Sequence, residues 1–144
     1  YFFIFKKIMC NRCYFSNISY KKWRCFTKNT ELNNEQIYSI KLVSGIANPN
    51  PLIVKLQQNG HKIALMQFAD HHNYTKSDIN AILKQYNQDN SAKKLILTTE
   101  KDATKLRRLL NQNNIIYFYY IPIDISIDKN NIFNKQILDY VRKN

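Results

Sequence analysis

Three short stretches hold the residues best placed by type and spacing to do chemistry: Gly45-Ile46-Ala47-Asn48-Pro49, Asp70-His71-His72 and Thr98-Thr99-Glu100-Lys101-Asp102. An aspartate beside a histidine suits proton transfer, because the carboxylate orients the imidazole and stabilises its charged form. Adjacent residues in an extended loop point apart, so His71 and His72 do not read as two ligands of one metal. The plainer alternative is a loop aspartate capping backbone N–H groups, with both histidines in solvent. In the third stretch Thr99 reads as a helix N-cap, with Glu100 and Asp102 favouring the positive helix end by ~1 kcal/mol. Alternatively the hydroxyls, the helix N-terminus and Lys101 bind a phosphate oxygen. Gly45 answers either a turn requirement or a close backbone approach to a ligand.

The elements that position these stretches follow from periodicity. Residues 40–43 form a short apolar strand ending at Ser44-Gly45. Asn48 and Asn50 offer caps to a helix that Pro51 opens, with Leu52, Ile53 and Leu56 on its apolar face and Gly60 as its stop. Residues 63–68 are the next strand. Thr75 and Asp78 make a capping-box-like start, followed by Ile79, Ile82, Leu83 and Tyr86 at helical spacing. Residues 95–97 are a third strand, leading to a helix marked by Ala103, Leu106, Leu109 and Leu110. Residues 115–121 are a fourth strand stopped by Pro122, and Phe133, Ile137, Tyr140 and Val141 mark a last helix. Four strand–helix alternations predict an α/β fold with a largely parallel sheet and helices on both faces. The strands are short apolar runs, as when both faces are covered. In such a sheet the three stretches emerge together at the carboxyl ends of the strands, where open α/β sheets place their ligands.

Composition sets the bounds. At 144 residues the chain is one domain of ordinary size or the remnant of a larger one, and it starts with Tyr1 instead of Met. It has 2 glycines, Gly45 and Gly60, too far apart for a P-loop or a dinucleotide fingerprint. The formal net charge of +12 favours anionic partners, but the abundance of Lys, Asn, Ile and Tyr also suits an A/T-rich genome. Seven Lys/Arg and no acid stand in residues 1–30. The 3 cysteines fit a reducing compartment; Cys10-x-x-Cys13 lacks the further ligands of a zinc site and reads as free thiols. No apolar run approaches the ~18 residues of a membrane span, and no secretory signal is visible. Residues 1–35 read as a linker or remnant of a preceding domain, with one alternating strand from Tyr14 to Tyr20, and residues 36–144 as a carboxyl-terminal α/β domain.

The order and spacing of Leu42-Val43-Ser44-Gly45-Ile46-Ala47-Asn48-Pro49, Phe68-Ala69-Asp70-His71-His72-Asn73-Tyr74 and Thr99-Glu100-Lys101-Asp102-Ala103-Thr104-Lys105-Leu106 resemble the tetraacyldisaccharide 4′-kinase family of lipid A biosynthesis. The resemblance implies ATP- and Mg²⁺-dependent phosphorylation of the 4′-hydroxyl of an anionic glycolipid, peripherally at the cytoplasmic face of the bacterial inner membrane. It also implies that this chain is the carboxyl-terminal half of a two-domain, P-loop-kinase-like protein. The P-loop and metal-binding acids would then lie before Tyr1, with no metal site in this chain, and the isolated piece would be inactive. In the family the histidine after this loop's aspartate pairs with an aspartate of the other half to activate the sugar hydroxyl; that role maps onto His71, with Asp70 beside it. Gly45, Asn48, His72, Thr99, Glu100, Lys101 and Asp102 are implied to line the cleft.

Two other functions compete. A metal-dependent phosphoesterase also carries Asp-His-His, but needs several upstream aspartates, and only Glu31 and Glu35 precede Asp70 as acids. A basic nucleic-acid-binding α/β module without catalysis would explain the charge and the aromatics of residues 1–26. It leaves the three strand-end motifs unexplained, so no nucleic acid is expected.

Overall fold

The computed structural model describes residues 3–6, 13–27, 30–32 and 36–143. In chain order its elements are β1 (Phe3–Lys6), β2 (Cys13–Tyr20), β3 (Arg24–Cys25), β4 (Ser39–Ser44), α1 (Asn50–Gln58), β5 (Lys62–Gln67) and α2 (Lys76–Gln88). They continue with β6 (Lys94–Thr99), α3 (Glu100–Leu106), a 3₁₀ turn (Ile115–Tyr117), β7 (Phe118–Ile121), β8 (Ile123–Ile127) and α4 (Asn130–Lys143). They fall into two compact units: Lys21–Pro122, and the described parts of Tyr1–Tyr20 with Ile123–Asn144. Cys10 and the side chain of Cys13 lie outside the described residues, and so does the reading of that cysteine pair.

The Lys21–Pro122 unit is built on a sheet of order β3-β7-β6-β4-β5. β7, β6, β4 and β5 run parallel, and the two-residue β3 adds an antiparallel edge. The chain steps from β4 outward to β5, then back across β4 to β6 and on to β7. Right-handed crossovers therefore put α1 on one face and α2 and α3 on the other. Burial agrees: Ile79, Ile82 and Tyr86 of α2 and Ala103 and Leu106 of α3 share one core with Val43, Ile96, Phe118 and Tyr120. Ile40, Leu42 and Leu97 are buried on the opposite face, as are Leu52 and Leu56 of α1. Covered on both sides, β6 has four consecutive buried residues, which is why it reads as an unbroken apolar run.

Local chemistry fixes the helix ends. Gly60 stops α1 at φ 86°, a left-handed conformation. Thr75 and Asp78 form the full reciprocal capping box that opens α2. Asp89, just past α2, accepts the Ser39 hydroxyl and ties the start of β4 to the end of that helix. His61 is buried between α1 and β5; its Nδ1 accepts the Tyr38 N–H at 3.2 Å and its ring lies 5.0 Å from that of Trp23.

Three details differ from expectation. α3 ends at Leu106; Leu109 and Leu110 still pack on the core, but from turns closed by bonds such as Leu109 N–H to Leu106 O. Their spacing reported burial, which a turn can satisfy as well as a helix. The fourth strand opens as a 3₁₀ turn and only Phe118–Ile121 pairs with β6. Beyond Pro122 the chain forms another strand, β8, which is not among the expected elements.

In the other unit β8 pairs antiparallel with β2, and β2 with β1, in the order β1-β2-β8. β2 alternates as its sequence suggests, with Tyr14 and Ser16 buried and Phe15 and Asn17 exposed. Tyr14 meets Phe133 of α4 edge-on at 5.2 Å and donates its hydroxyl to Gln136. Residues 13–20 are thus paired with residues near the other end of the sequence, while Arg24 and Cys25 belong to the larger sheet.

Candidate active site

The topological switch point of the parallel sheet lies at the carboxyl ends of β4 and β6. These strands are neighbours, and the helices that follow them cover opposite faces of the sheet. The loops after β4, β5 and β6 carry the three stretches singled out from the sequence, and hydrogen bonds join all three.

Asp70-His71-His72 is a tight turn after β5, closed by the His72 N–H donating to Ala69 O at 3.1 Å. His71 sits in it at φ 61°, a left-handed conformation that few non-glycine residues adopt. Its imidazole is 77 % exposed, with Nε2 3.6 Å from Asp70 Oδ2. Asp70 Oδ1 accepts the His71 backbone N–H at 2.9 Å and the Lys101 ammonium at 3.2 Å. The hydrogen bond from Lys101 holds the Asp70 carboxyl below its ordinary range, with a smaller contribution from His71. An ionised carboxylate therefore stands beside the ring. Lys105, one turn along α3, donates to the backbone carbonyls of His71 at 3.1 Å and His72 at 2.8 Å.

The two histidines do part, as adjacent loop residues should. His72 lies against Phe68 at 4.8 Å and Tyr74 at 5.0 Å, and its Nε2 is 3.1 Å from Asp78 Oδ2. Burial pushes the Asp78 carboxyl up, but the bonds from His72 and Thr75 outweigh it and leave the group below its ordinary value. His72 thus fastens the loop to the N-terminus of α2.

The loops after β4 and β6 meet through Asp102. Its side chain is buried, and Oδ2 accepts the Gly45 N–H at 3.0 Å and the Thr99 hydroxyl at 2.8 Å. Thr99 in turn accepts the Asp102 N–H at 3.2 Å, the N-cap geometry of the first reading. A Cβ on Gly45 would stand 2.9 Å from Asp102 Oδ1 and 2.9 Å from the Tyr74 hydroxyl. Its φ is not positive, so Gly45 is required by the crowding of two side chains, not by a turn. Neither the Tyr74 hydroxyl nor Asp102 Oδ1 completes a hydrogen bond of good geometry. Burial, and then the nearby Asp102 carboxylate, push the Tyr74 phenol well above its usual value.

Of the remaining residues, Asn48 is exposed and accepts the Asn50 N–H at 3.1 Å, a local turn before α1. Glu100 is exposed in the first turn of α3. Tyr74 and Lys105 were not assigned roles from the sequence. Their partners, Gly45 and His71, lie in two different loops, 29 and 34 residues away in sequence, and no periodic signal reports such a contact.

Neither glycine of the chain forms a glycine-rich phosphate cradle. The backbone at Gly45 is covered by Asp102 and Tyr74, and Gly60 serves as a helix stop. Among the described residues no three His, Cys, Asp or Glu side chains gather where they could hold a metal ion. What the site offers is an exposed imidazole beside an ionised carboxylate, on a turn braced from α3.

Known proteins match the chain closely. The model of the tetraacyldisaccharide-1-P 4′-kinase family matches residues 8–142. A tetraacyldisaccharide 4′-kinase of Phocaeicola vulgatus is 35% identical over 139 residues, covering 91% of this chain and 38% of its own length. One of Bacteroides fragilis is 35% identical over 144 residues with the same coverage, and one of Cytophaga hutchinsonii is 41% identical over 88 residues, 60% of this chain and 24% of the relative. The chain therefore spans well under half of the relatives it matches. A crystal structure of LpxK from Aquifex aeolicus in complex with ATP shares the fold with a TM-score of 0.54 at 16% identity, over 94% of this chain and 38% of that one. By both the family match and these relatives, the chain belongs to the tetraacyldisaccharide 4′-kinase family.

Proposed function

We propose that this chain supplies the proton-handling side of a kinase that phosphorylates the 4′-hydroxyl of tetraacyldisaccharide 1-phosphate with ATP. The carrying observation is His71, exposed at the carboxyl edge of the parallel sheet and set against the ionised Asp70. His71 takes up the hydroxyl proton, and Asp70, 3.6 Å from Nε2, stabilises the imidazolium that results. Lys101 keeps Asp70 ionised and in place. The glycines of this chain form no phosphate cradle for ATP and its Mg²⁺. These are assigned to the part of the family's length that this chain does not span, where they supply the phosphoryl group and neutralise its charge. The isolated chain is accordingly inactive. The anionic glycolipid calls for peripheral attachment to the cytoplasmic face of the inner membrane, and among the described residues no helix is long and apolar enough to cross it.

The test joins this chain to the remainder of a full-length relative. His71→Ala should lower kcat on the order of 10²–10⁴-fold, with the KM for ATP little changed. Turnover near that of the parent protein would sink the assignment.

A further inference from the structure

The left-handed turn at His71 is a conformation that few residues with a Cβ adopt, histidine more readily than most. Turns closed by a bond from the fourth residue back to the first, with positive φ at the third, favour glycine there because a Cβ crowds the backbone. A glycine would adopt φ 61° freely, and the chain keeps an imidazole instead. Something must hold the backbone against its preference. Two groups are in position. The His71 N–H is taken by its neighbour Asp70, a bond within the loop itself. The other is Lys105, half-buried on α3, whose ammonium bonds the carbonyl oxygens of both His71 and His72. Consecutive carbonyls converge on one cation only when the intervening backbone turns sharply. The double contact is therefore specific to the turned conformation, and an extended loop could not make both bonds.

The geometry points to Lys105 as a positioning residue: it bridges the His71 and His72 carbonyls from α3 and so holds His71 in the left-handed turn that presents its imidazole. Its neighbour Lys101 acts differently, on the Asp70 carboxylate through a side-chain bond. The two lysines divide the work between side chain and backbone of the same loop. The catalytic meaning of this arrangement rests on the proposed role of His71, but the conformational assignment does not.

The test is nuclear magnetic resonance of the isotopically labelled chain. Lys105→Met keeps the length and apolar stem of the side chain and removes only the donor. The φ-sensitive backbone coupling of His71 should then leave its left-handed value, and exchange of the His72 amide should quicken on the order of tenfold. The amides of Leu42, Val43, Ile96 and Leu97 in the sheet should keep their shifts. Lys105→Arg, which retains donors able to reach both carbonyls, should keep the turn. Replacing His71 by glycine in the Lys105→Met background should return the exchange of the His72 amide toward the parent rate, because glycine needs no brace. Arg108→Met removes a charge from the same segment and should leave the coupling alone. An unchanged coupling in Lys105→Met, an equal change in Arg108→Met, loss of the turn in Lys105→Arg, or failure of glycine to restore the exchange rate would each overturn the assignment. Undiminished kcat in His71→Ala would instead remove the catalytic reading and leave this one standing.

Discussion

Gly45→Ala is the substitution for which the structure gives the clearest energetic expectation. The added methyl carbon would lie 2.9 Å from Asp102 Oδ1 and 2.9 Å from the Tyr74 hydroxyl, closer than non-bonded atoms tolerate. Neither neighbour is the free end of a flexible surface chain, since both side chains are buried. If Asp102 yields, its bond from the Gly45 N–H is lost, and a buried bond to a charged group contributes about 1.5–3 kcal/mol. If the backbone yields, overpacking costs about 1–3 kcal/mol. These are alternative routes and the protein takes the cheaper, so the expected loss is roughly 1–3 kcal/mol, a sizeable part of the ~5–15 kcal/mol that stabilises a typical domain. Urea denaturation followed by circular dichroism reads it directly, and the accompanying fall in Tm should be on the order of 5–10 °C. Tyr74→Phe removes one of the two obstructing oxygens. It should recover about 1 kcal/mol in the alanine background while changing the parent protein less. Gly60→Ala provides the contrast: among the described residues its Cβ would meet Ile37 at ordinary contact distance, Cδ1 at 3.4 Å and Cγ1 at 3.6 Å, so its cost is that of the positive φ, about 1 kcal/mol. A Gly45→Ala protein within about 0.5 kcal/mol of the parent, or indifferent to Tyr74→Phe, would refute the crowding argument.

Two pH dependences follow from buried and bonded groups. Burial holds the His61 imidazole below its ordinary pKa of 6.5, so the unfolded chain takes up its proton first as pH falls. The stability tied to neutral His61 is complete above about pH 6.5 and declines below it; denaturation midpoints between pH 8 and 5 should show the decline, and His61→Phe should flatten it. Asp89 behaves in the opposite range. The Ser39 hydroxyl, then Ser91, lower its pKa from 3.8 to about 2, so its contribution is complete above pH 3.8 and disappears as pH falls toward 2. After allowance for solvent screening this is about 1 kcal/mol, and Ser39→Ala should remove most of it near neutral pH while leaving little difference at pH 2.

Periodicity and turn chemistry determined much of this protein before any coordinate was known. The apolar runs at residues 40–43, 63–68 and 95–97, and the Thr75–Asp78 cap, place β4, β5, β6 and α2 because short apolar runs and helix starts obey local rules, although β5, at the sheet edge, is left largely exposed. The alternation of strand and helix implied a parallel sheet, and a parallel sheet gathers Gly45, Asp70, His71, Thr99 and Asp102 at one edge. Which of them face solvent was not legible. Asp102 and Glu100 stand two apart in one motif, yet one is buried under Gly45 and the other is exposed, because only the packing of α3 against the loop after β4 distinguishes them. The brace of Lys105, the crowding by Tyr74 and the left-handed His71 were equally hidden. Local sequence fixes which elements form; contacts between residues tens of positions apart decide what each polar group meets, and those exist only once the sheet is assembled.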